Sequence, residues 1–284
     1  MIWRCRDRVF DLSERTLVMG IVNVTPDSFS DGGRYFEPGA AIARCRELFA
    51  AGAELIDVGA ESTRPGSEPV PATEQRRRLA PVLDALAGEP ISVDTASAEV
   101  AADALARGAC AINDVTALGD PAMAGVVARA GAGLVLMHMQ GTPRTMQARP
   151  EYGDVVAEVA AFLADRLAAA RAAGIAAECV ALDPGIGFGK KVEHSVRLLA
   201  GTAALASLGR PLLVGASRKS FLGTLTGESD PARRHEASLA AAAIAAFEGA
   251  RILRVHDVAA TVPVVRVANA ARAARGRGAP STRA

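Results

Sequence analysis

Short apolar runs alternate with longer Ala-rich stretches along the whole chain, and nearly every run ends in, or just before, a polar side chain. Eight runs are visible: LVMGIVNV (17–24), ELIDVG (54–59), PISVD (90–94), AIND (111–114), GLVLMH (133–138), CVALD (179–183), PLLVG (211–215) and RILRVH (251–256). Amphipathic helical spacing occupies 39–51, 73–87, 97–107, 121–130, 153–173, 193–207, 231–248 and 257–273. Strand-length runs followed by helix-length segments predict a parallel α/β fold. Eight such units are the number that closes a (β/α)8, or TIM, barrel as one domain. Pro38 ahead of 39–51, Thr73 with Glu74, and Asp120 with Pro121 supply helix-start signals.

An open, doubly wound sheet is the competing architecture. The polar residues argue for the barrel. Asn23, then Glu61, Thr63 and Arg64, then Asp94, Asn113 with Asp114, His138, Asp183, Ser217 to Lys219, and Arg254 with His256 all follow strands. A barrel gathers these positions at one mouth, whereas an open sheet spreads them along an edge. The domain is expected over residues 1–274. The final RGRGAPSTRA (275–284), without apolar periodicity, is expected to be a disordered tail.

Half of the 284 residues are apolar, which is ample for a large core, and 32 basic against 31 acidic residues leave a formal charge of +1. That balance gives no ground for a nucleic-acid or anionic-membrane partner. MIWRCRDRVF holds no apolar signal core, and no run reaches membrane-spanning length, so a soluble cytoplasmic protein is expected. Cys5, Cys45, Cys110 and Cys179 form no CxxC pair, and the four histidines offer no zinc-finger spacing, which suits reduced thiols and no structural zinc.

Two segments stand out: MGIVNVTPDSFSDGG (19–33), which begins as a strand and turns abruptly into a polar loop, and the long polar loop AESTRPGSEPVP (60–71). Both are longer than plain connectors and read as lids over the mouth. Asn23 offers an amide oxygen to Mg2+ or phosphate, and Thr63 and Arg64 a hydroxyl and a guanidinium to an anion. Asp94, Asn113 and Asp183 each end an apolar run. Carboxylates favour fork-shaped N–H donors, so three inward acid or amide groups predict a flat, nitrogen-rich heterocycle.

DPGIGFGKK (183–191) is not a phosphate loop: its glycine spacing is short and Lys191 stands where Ser or Thr is required. Its glycines permit a tight turn against a ligand, with Phe188 as an apolar wall. In GASRKSFLG (215–223), Arg218, Lys219 and Ser220 open a short helix able to meet an anion. Arg254 and His256, two residues apart, share a face if the strand persists that far, a geometry that forms an anion clamp. His138 reads equally well as a hydrogen-bonded supporting residue.

MGIVNVTPDSFSDGG, ESTRPG, SVDT, IND, HMQGTP, DPGIGFGK, SRKSFLG and RVHDV, in that order across residues 14–272, resemble the blocks of the dihydropteroate synthase family. The resemblance implies condensation of 6-hydroxymethyl-7,8-dihydropterin pyrophosphate with 4-aminobenzoate, with Mg2+ as cofactor and a homodimeric assembly. Carried over by position, it implies that Asp94, Asn113, Asp183 and Lys219 hold the pterin. Asn23, Thr63, Arg254 and His256 meet the pyrophosphate, and Asn23 also touches the metal. Phe29, Pro65, Phe188 and Ser220 frame 4-aminobenzoate, while Asp31, Thr63, Arg64 and Lys219 serve catalysis. Ser195 departs from the family's usual Asn, on a helix away from the mouth. Two rivals share the pterin contacts: a pterin-binding methyltransferase domain, in which SRKSFLG and RVHDV have no purpose, and a catalytically silent pterin-binding paralogue.

Overall fold

Alternation of side chains along each strand decides what this chain builds. The computed structural model describes residues 1–24, 38–62 and 67–276. It opens with an antiparallel hairpin, β1 (Ile2–Cys5) and β2 (Arg8–Asp11). The barrel units follow: β3 (Leu17–Asn23), α1 (Pro38–Ala50), β4 (Leu55–Gly59), α2 (Ala72–Ala85), β5 (Ile91–Asp94), α3 (Ala98–Ala106), β6 (Ala111–Asp114) and α4 (Met123–Ala130). The second half holds β7 (Gly133–Met137), α5 (Val155–Ala172), β8 (Val180–Asp183), α6 (Val192–Ala200), α7 (Thr202–Ala206), β9 (Leu213–Val214), α8 (Ser220–Thr226), α9 (His235–Phe247), β10 (Ile252–Val255) and α10 (Val258–Gly276).

Strands β3 to β10 pair in parallel in the order β8-β7-β6-β5-β4-β3-β10-β9. A parallel bridge between Leu182 and Leu212, with Leu182 N–H donating to the Pro211 carbonyl at 2.9 Å, joins β8 to the approach of β9 and closes the ring. The architecture is therefore the expected (β/α)8 barrel.

Outward residues such as Val18, Val58, Val93, Ile112, Leu134 and Leu182 pack under the helices. Inward residues at the lower end, Leu17, Met19, Leu55, Ala111, Val135, Ala181, Leu213 and Ile252, form a second cluster with Trp3, Cys5 and Leu12. The hairpin thus plugs the floor. Trp3 is fully buried and donates its indole N–H to the Cys179 carbonyl at 2.9 Å. Chain order gave no sign of this hairpin, because four-residue strands with alternating Arg and apolar residues look like polar leader.

Several boundaries and helix starts differ from the expected ones. The 193–207 helix breaks at Gly201, where a β-carbon would stand 2.9 Å from Val156 Cγ2 of α5. The 231–248 helix starts at His235, after a 3-10 turn over Pro231–Arg233. Thr73 is not a cap: α2 begins at Ala72 behind Pro71, with no side-chain cap bond. Helix α10 reaches Gly276, two residues past the expected domain end at 274, and the rest of the expected tail, 277–284, lies outside the described residues.

Candidate active site

The period of two that gives each strand an apolar lower residue puts a polar one two positions later, at the upper rim of the same inner face. Leu55 gives way to Asp57, Ala111 to Asn113, Ala181 to Asp183, and Ile252 to Arg254. Register brings them level: Gly59 pairs with Asp94, Asp94 with Asn113, and Met137 with Asp183.

Asp57, Asp94, Asn113 and Arg254 form one hydrogen-bonded network, with Asp183 held separately beside it. Arg254 donates from Nε to Asp57 Oδ2 at 2.6 Å and from Nη2 to Asp94 Oδ2 at 2.9 Å. Asn113 Nδ2 donates to the same Asp57 oxygen at 2.9 Å. Asp183 Oδ1 accepts from Gly185 N–H at 2.7 Å, which fixes the carboxylate at the start of the following turn. Asp57 Oδ1 and Asn113 Oδ1 are buried acceptors with no partner among the described residues. A buried acceptor left unpaired costs about 1–3 kcal/mol. Two such oxygens in one cup are therefore places for a ligand's N–H groups.

Lys219, at the N-terminal edge of α8, stands with its ammonium 3.6 Å from the centroid of the Phe188 ring. Burial, with Arg254 adding to it, pushes the Lys219 pKa down to about 7 against the pull of Asp183 and Asp94. Burial likewise raises Asp94 to about 7, opposed by Arg254 and aided by Asp57, and raises Asp183 to about 6. Groups titrating near neutrality in a cup are the expected mark of a site rather than of a scaffold.

His256, just past β10, meets Ser217, with Nδ1 and Oγ 3.0 Å apart. Strand β10 ends at Val255, so His256 lies just past the strand that carries Arg254, and Arg254 is engaged by two carboxylates; the pair is not the anion clamp that a longer strand would have made. Arg254 keeps further N–H donors beyond those two bonds. Asn23 ends β3 beside Gly59 and Asp94: a β-carbon on Gly59 would lie 3.6 Å from Asn23 Oδ1 and 3.4 Å from Asp94 Cβ. Ser220 opens α8 and is exposed. Phe29, Asp31, Thr63, Arg64 and Pro65 lie outside the described residues.

Other polar strand ends have plain structural duties. Asp114 turns out of the barrel and accepts from Thr116 and Leu118 N–H at 2.8 and 2.7 Å, holding the turn in which Ala117 and Leu118 have positive φ. Glu61 accepts from Val70 N–H at 2.8 Å. His138, buried beside Lys190, has its pKa pushed down to about 3 by burial first and Lys190 second, which fits the supporting one of its two readings.

Two participants escaped the sequence reading. Asp57 is wholly buried and joins Arg254 to Asn113; its signal was a lone acid inside the apolar run ELIDVG. Lys190 is 4% exposed beneath the turn that carries Phe188; its signal was the last residue of GFGK. Among the described residues no cluster of three or more acidic, His or Cys side chains is arranged to hold a metal ion.

Comparison with known proteins follows the same outline. The sequence model described as "Pterin binding enzyme" matches residues 19–256. Dihydropteroate synthase of Escherichia coli (strain K12) is 47% identical over 261 residues, covering 91% of this chain and 92% of that enzyme. The solved Xanthomonas albilineans dihydropteroate synthase with 4-aminobenzoic acid superposes with a TM-score of 0.88 at 46% identity, covering 98% of this chain and 99% of that one. The same organism's enzyme in complex with 7,8-dihydropteroate gives 0.85 at 44% identity, covering 99% of this chain and 100% of that one.

Proposed function

The chain belongs to the dihydropteroate synthase family, and from that membership we propose how its barrel mouth carries out the family's reaction. The protein is a transferase of folate biosynthesis: it joins 6-hydroxymethyl-7,8-dihydropterin pyrophosphate to 4-aminobenzoate, giving 7,8-dihydropteroate and pyrophosphate.

One observation carries the residue assignment: the unpartnered acceptors Asp57 Oδ1 and Asn113 Oδ1 share a cup with Asp94, Asp183 and Lys219. A pterin edge is rich in N–H donors and would satisfy such acceptors, so Asp94, Asn113 and Asp183 hold the ring, with Lys219 stacked on Phe188 beside it. Arg254, balanced by Asp57 and Asp94, presents its further donors, and His256 with Ser217 lines the phosphate end. Phe188 and Ser220 frame 4-aminobenzoate together with Phe29 and Pro65, while Asp31, Thr63 and Arg64 complete the site from the two polar loops.

In the reaction the C–O bond at the 6-methylene carbon breaks, and its electron pair leaves with pyrophosphate. The arylamine nitrogen forms the new C–N bond and gives up a proton. The amine is nucleophilic as it stands, so the protein's work is alignment, charge neutralisation and exclusion of water. The donor set fits Mg2+ in one way: Asn23 offers a neutral oxygen at the rim, and magnesium is commonly held by few protein ligands together with substrate phosphates. Bound there, the ion would neutralise charge on the leaving pyrophosphate.

An assay of pyrophosphate release tests this reading. Release that requires both 4-aminobenzoate and Mg2+ is expected. Release without the arylamine, or methyl transfer with none, overturns it.

The assembly is proposed to be a homodimer. Between α9 and α10 lies an apolar groove of about 590 Å³ lined by Ile244, Phe247, Pro263 and Val267, with Val267 71% exposed. Its wholly apolar lining is suited to burial against a second copy of the chain. Sedimentation as a dimer at micromolar concentration, lost in Val267→Glu, is the expected result; a monomer rejects it. No helix of the described residues is long and apolar enough to cross a membrane, and all four cysteines are free and buried, which supports a cytoplasmic location.

A further inference from the structure

The turn that carries Phe188 is held from below in an unusual way. Its three successive carbonyls are each taken by a side chain: Gly187 O accepts from Gln147 Nε2 at 2.9 Å, Phe188 O from Lys190 Nζ at 2.9 Å, and Gly189 O from Tyr152 Oη at 2.8 Å. Gly185 and Gly189, both with positive φ, allow the turn to press on the neighbouring loop: a β-carbon at either would stand 1.9 Å from the His138 carbonyl oxygen or 2.7 Å from the Gln140 carbonyl oxygen.

Lys190 ties the two loops together. Its ammonium also reaches His138 Nδ1 at 3.0 Å and the His138 carbonyl at 3.4 Å. Three acceptors match its three protons, and no carboxylate pairs with it among the described residues. A lysine buried with no carboxylate in hydrogen-bond reach, met only by the more distant pull of Asp183, is a poor choice for packing alone, since an apolar chain of the same length fills the space without the desolvation cost.

The same turn supports Lys219. The Lys219 stem lies on Gly187, where a β-carbon would meet its Cδ at 3.2 Å, and its ammonium lies over the Phe188 ring. The height of the turn therefore sets both an apolar wall and a cation of the site.

We propose that Lys190 is a positioning residue for the condensation: by holding the Phe188 carbonyl and the end of β7 together, it fixes the Phe188 ring and, through it, Lys219. The proposal rests on the dihydropteroate synthase reading of those two residues. Lys190 itself touches no substrate.

The test begins with wild-type enzyme in the pyrophosphate-release assay, whose failure would strike the family reading and not this one. Given wild-type turnover, Lys190→Met should lower kcat/KM for 4-aminobenzoate by roughly 10–100-fold, chiefly through KM, since misplacement on the order of an ångström has effects of that size. Its thermal melt should not fall below that of wild type, since the apolar chain avoids the desolvation cost. A packing role predicts no such kinetic loss, because Met keeps the volume; K190M kinetics within twofold of wild type overturn the proposal. Should K190M not fold, K190A assayed with and without propylammonium decides the matter. Restoration of about tenfold by the amine supports the proposal, and no restoration sinks it.

Discussion

The floor and the mouth of this barrel are made by the same strands and differ by two residues of register. At the floor, Leu55, Ala111, Ala181 and Ile252 pack on Trp3 and Leu12 of the hairpin, buried and without charge. At the mouth, Asp57, Asn113, Asp183 and Arg254 occupy the next inward positions: Arg254 and Asn113 both donate to Asp57, Asp183 accepts from Gly185 N–H, and other acceptors are left unpaired. One end is closed by apolar complementarity, and the other is kept short of completion. Stability belongs chiefly to the first and binding to the second.

Four experiments probe that division, beginning with the largest effect. Asp183→Ala should abolish turnover, a loss of roughly 10³-fold or more in pyrophosphate release, with circular dichroism and melting little changed. Near-normal activity would falsify the pterin assignment. Arg254→Met should damage both properties. It strands the carboxylates of Asp57 and Asp94, and breaking a buried pair costs about 3–5 kcal/mol, readable as a lower denaturant midpoint alongside lost activity. An unchanged midpoint would show that the mouth carries no structural charge.

Trp3→Ala is the complementary test at the floor. It should cost about 3–5 kcal/mol of stability, yet leave kcat within about twofold at a temperature where the variant is folded. A large fall in kcat would erase the division between the two ends.

The smallest effect concerns pH. Burial lifts Asp183 to about 6 and Asp94 to about 7. Their unfolded values lie near 4, so the native state binds more protons and stability falls as pH rises from about 4 to about 7. Lys219 and Lys190, each pushed down to about 7 by burial, act in the other sense, adding stability as pH climbs from about 7 towards 10. The mouth therefore contributes least near neutrality. Asp183→Asn should gain about 1–3 kcal/mol at pH 7.5 and nothing at pH 4, measured by thermal melts at both. A gain independent of pH would place the cost elsewhere.

Much of this was legible in the chain, for physical reasons. Eight strands announced themselves because both of their faces are buried, which makes parallel strands continuous apolar runs. Asp94, Asn113 and Asp183 were visible because each closes such a run, and the structure brings all three to one rim. Asp57 was hidden because Val58 and Gly59 continue its strand past it, so it did not look like an end. Lys190 was hidden because a lysine at a loop's edge normally faces water, and only the tertiary approach of two loops buries it. The hairpin β1–β2 was missed because its strands are short and half exposed, and their burial depends wholly on a barrel floor assembled from distant residues.

The closure of the ring has a mechanical meaning. Strand β9 contributes two residues to the wall and meets β8 through a single bridge, while the other neighbouring strands share longer ladders. A cylinder yields first along its least-stitched meridian. Here that line runs up between Asp183, at the top of β8, and Lys219, just past β9. The spacing between the acid and the cation on either side of the ring pocket is thus the dimension that the wall can adjust with the fewest bonds broken.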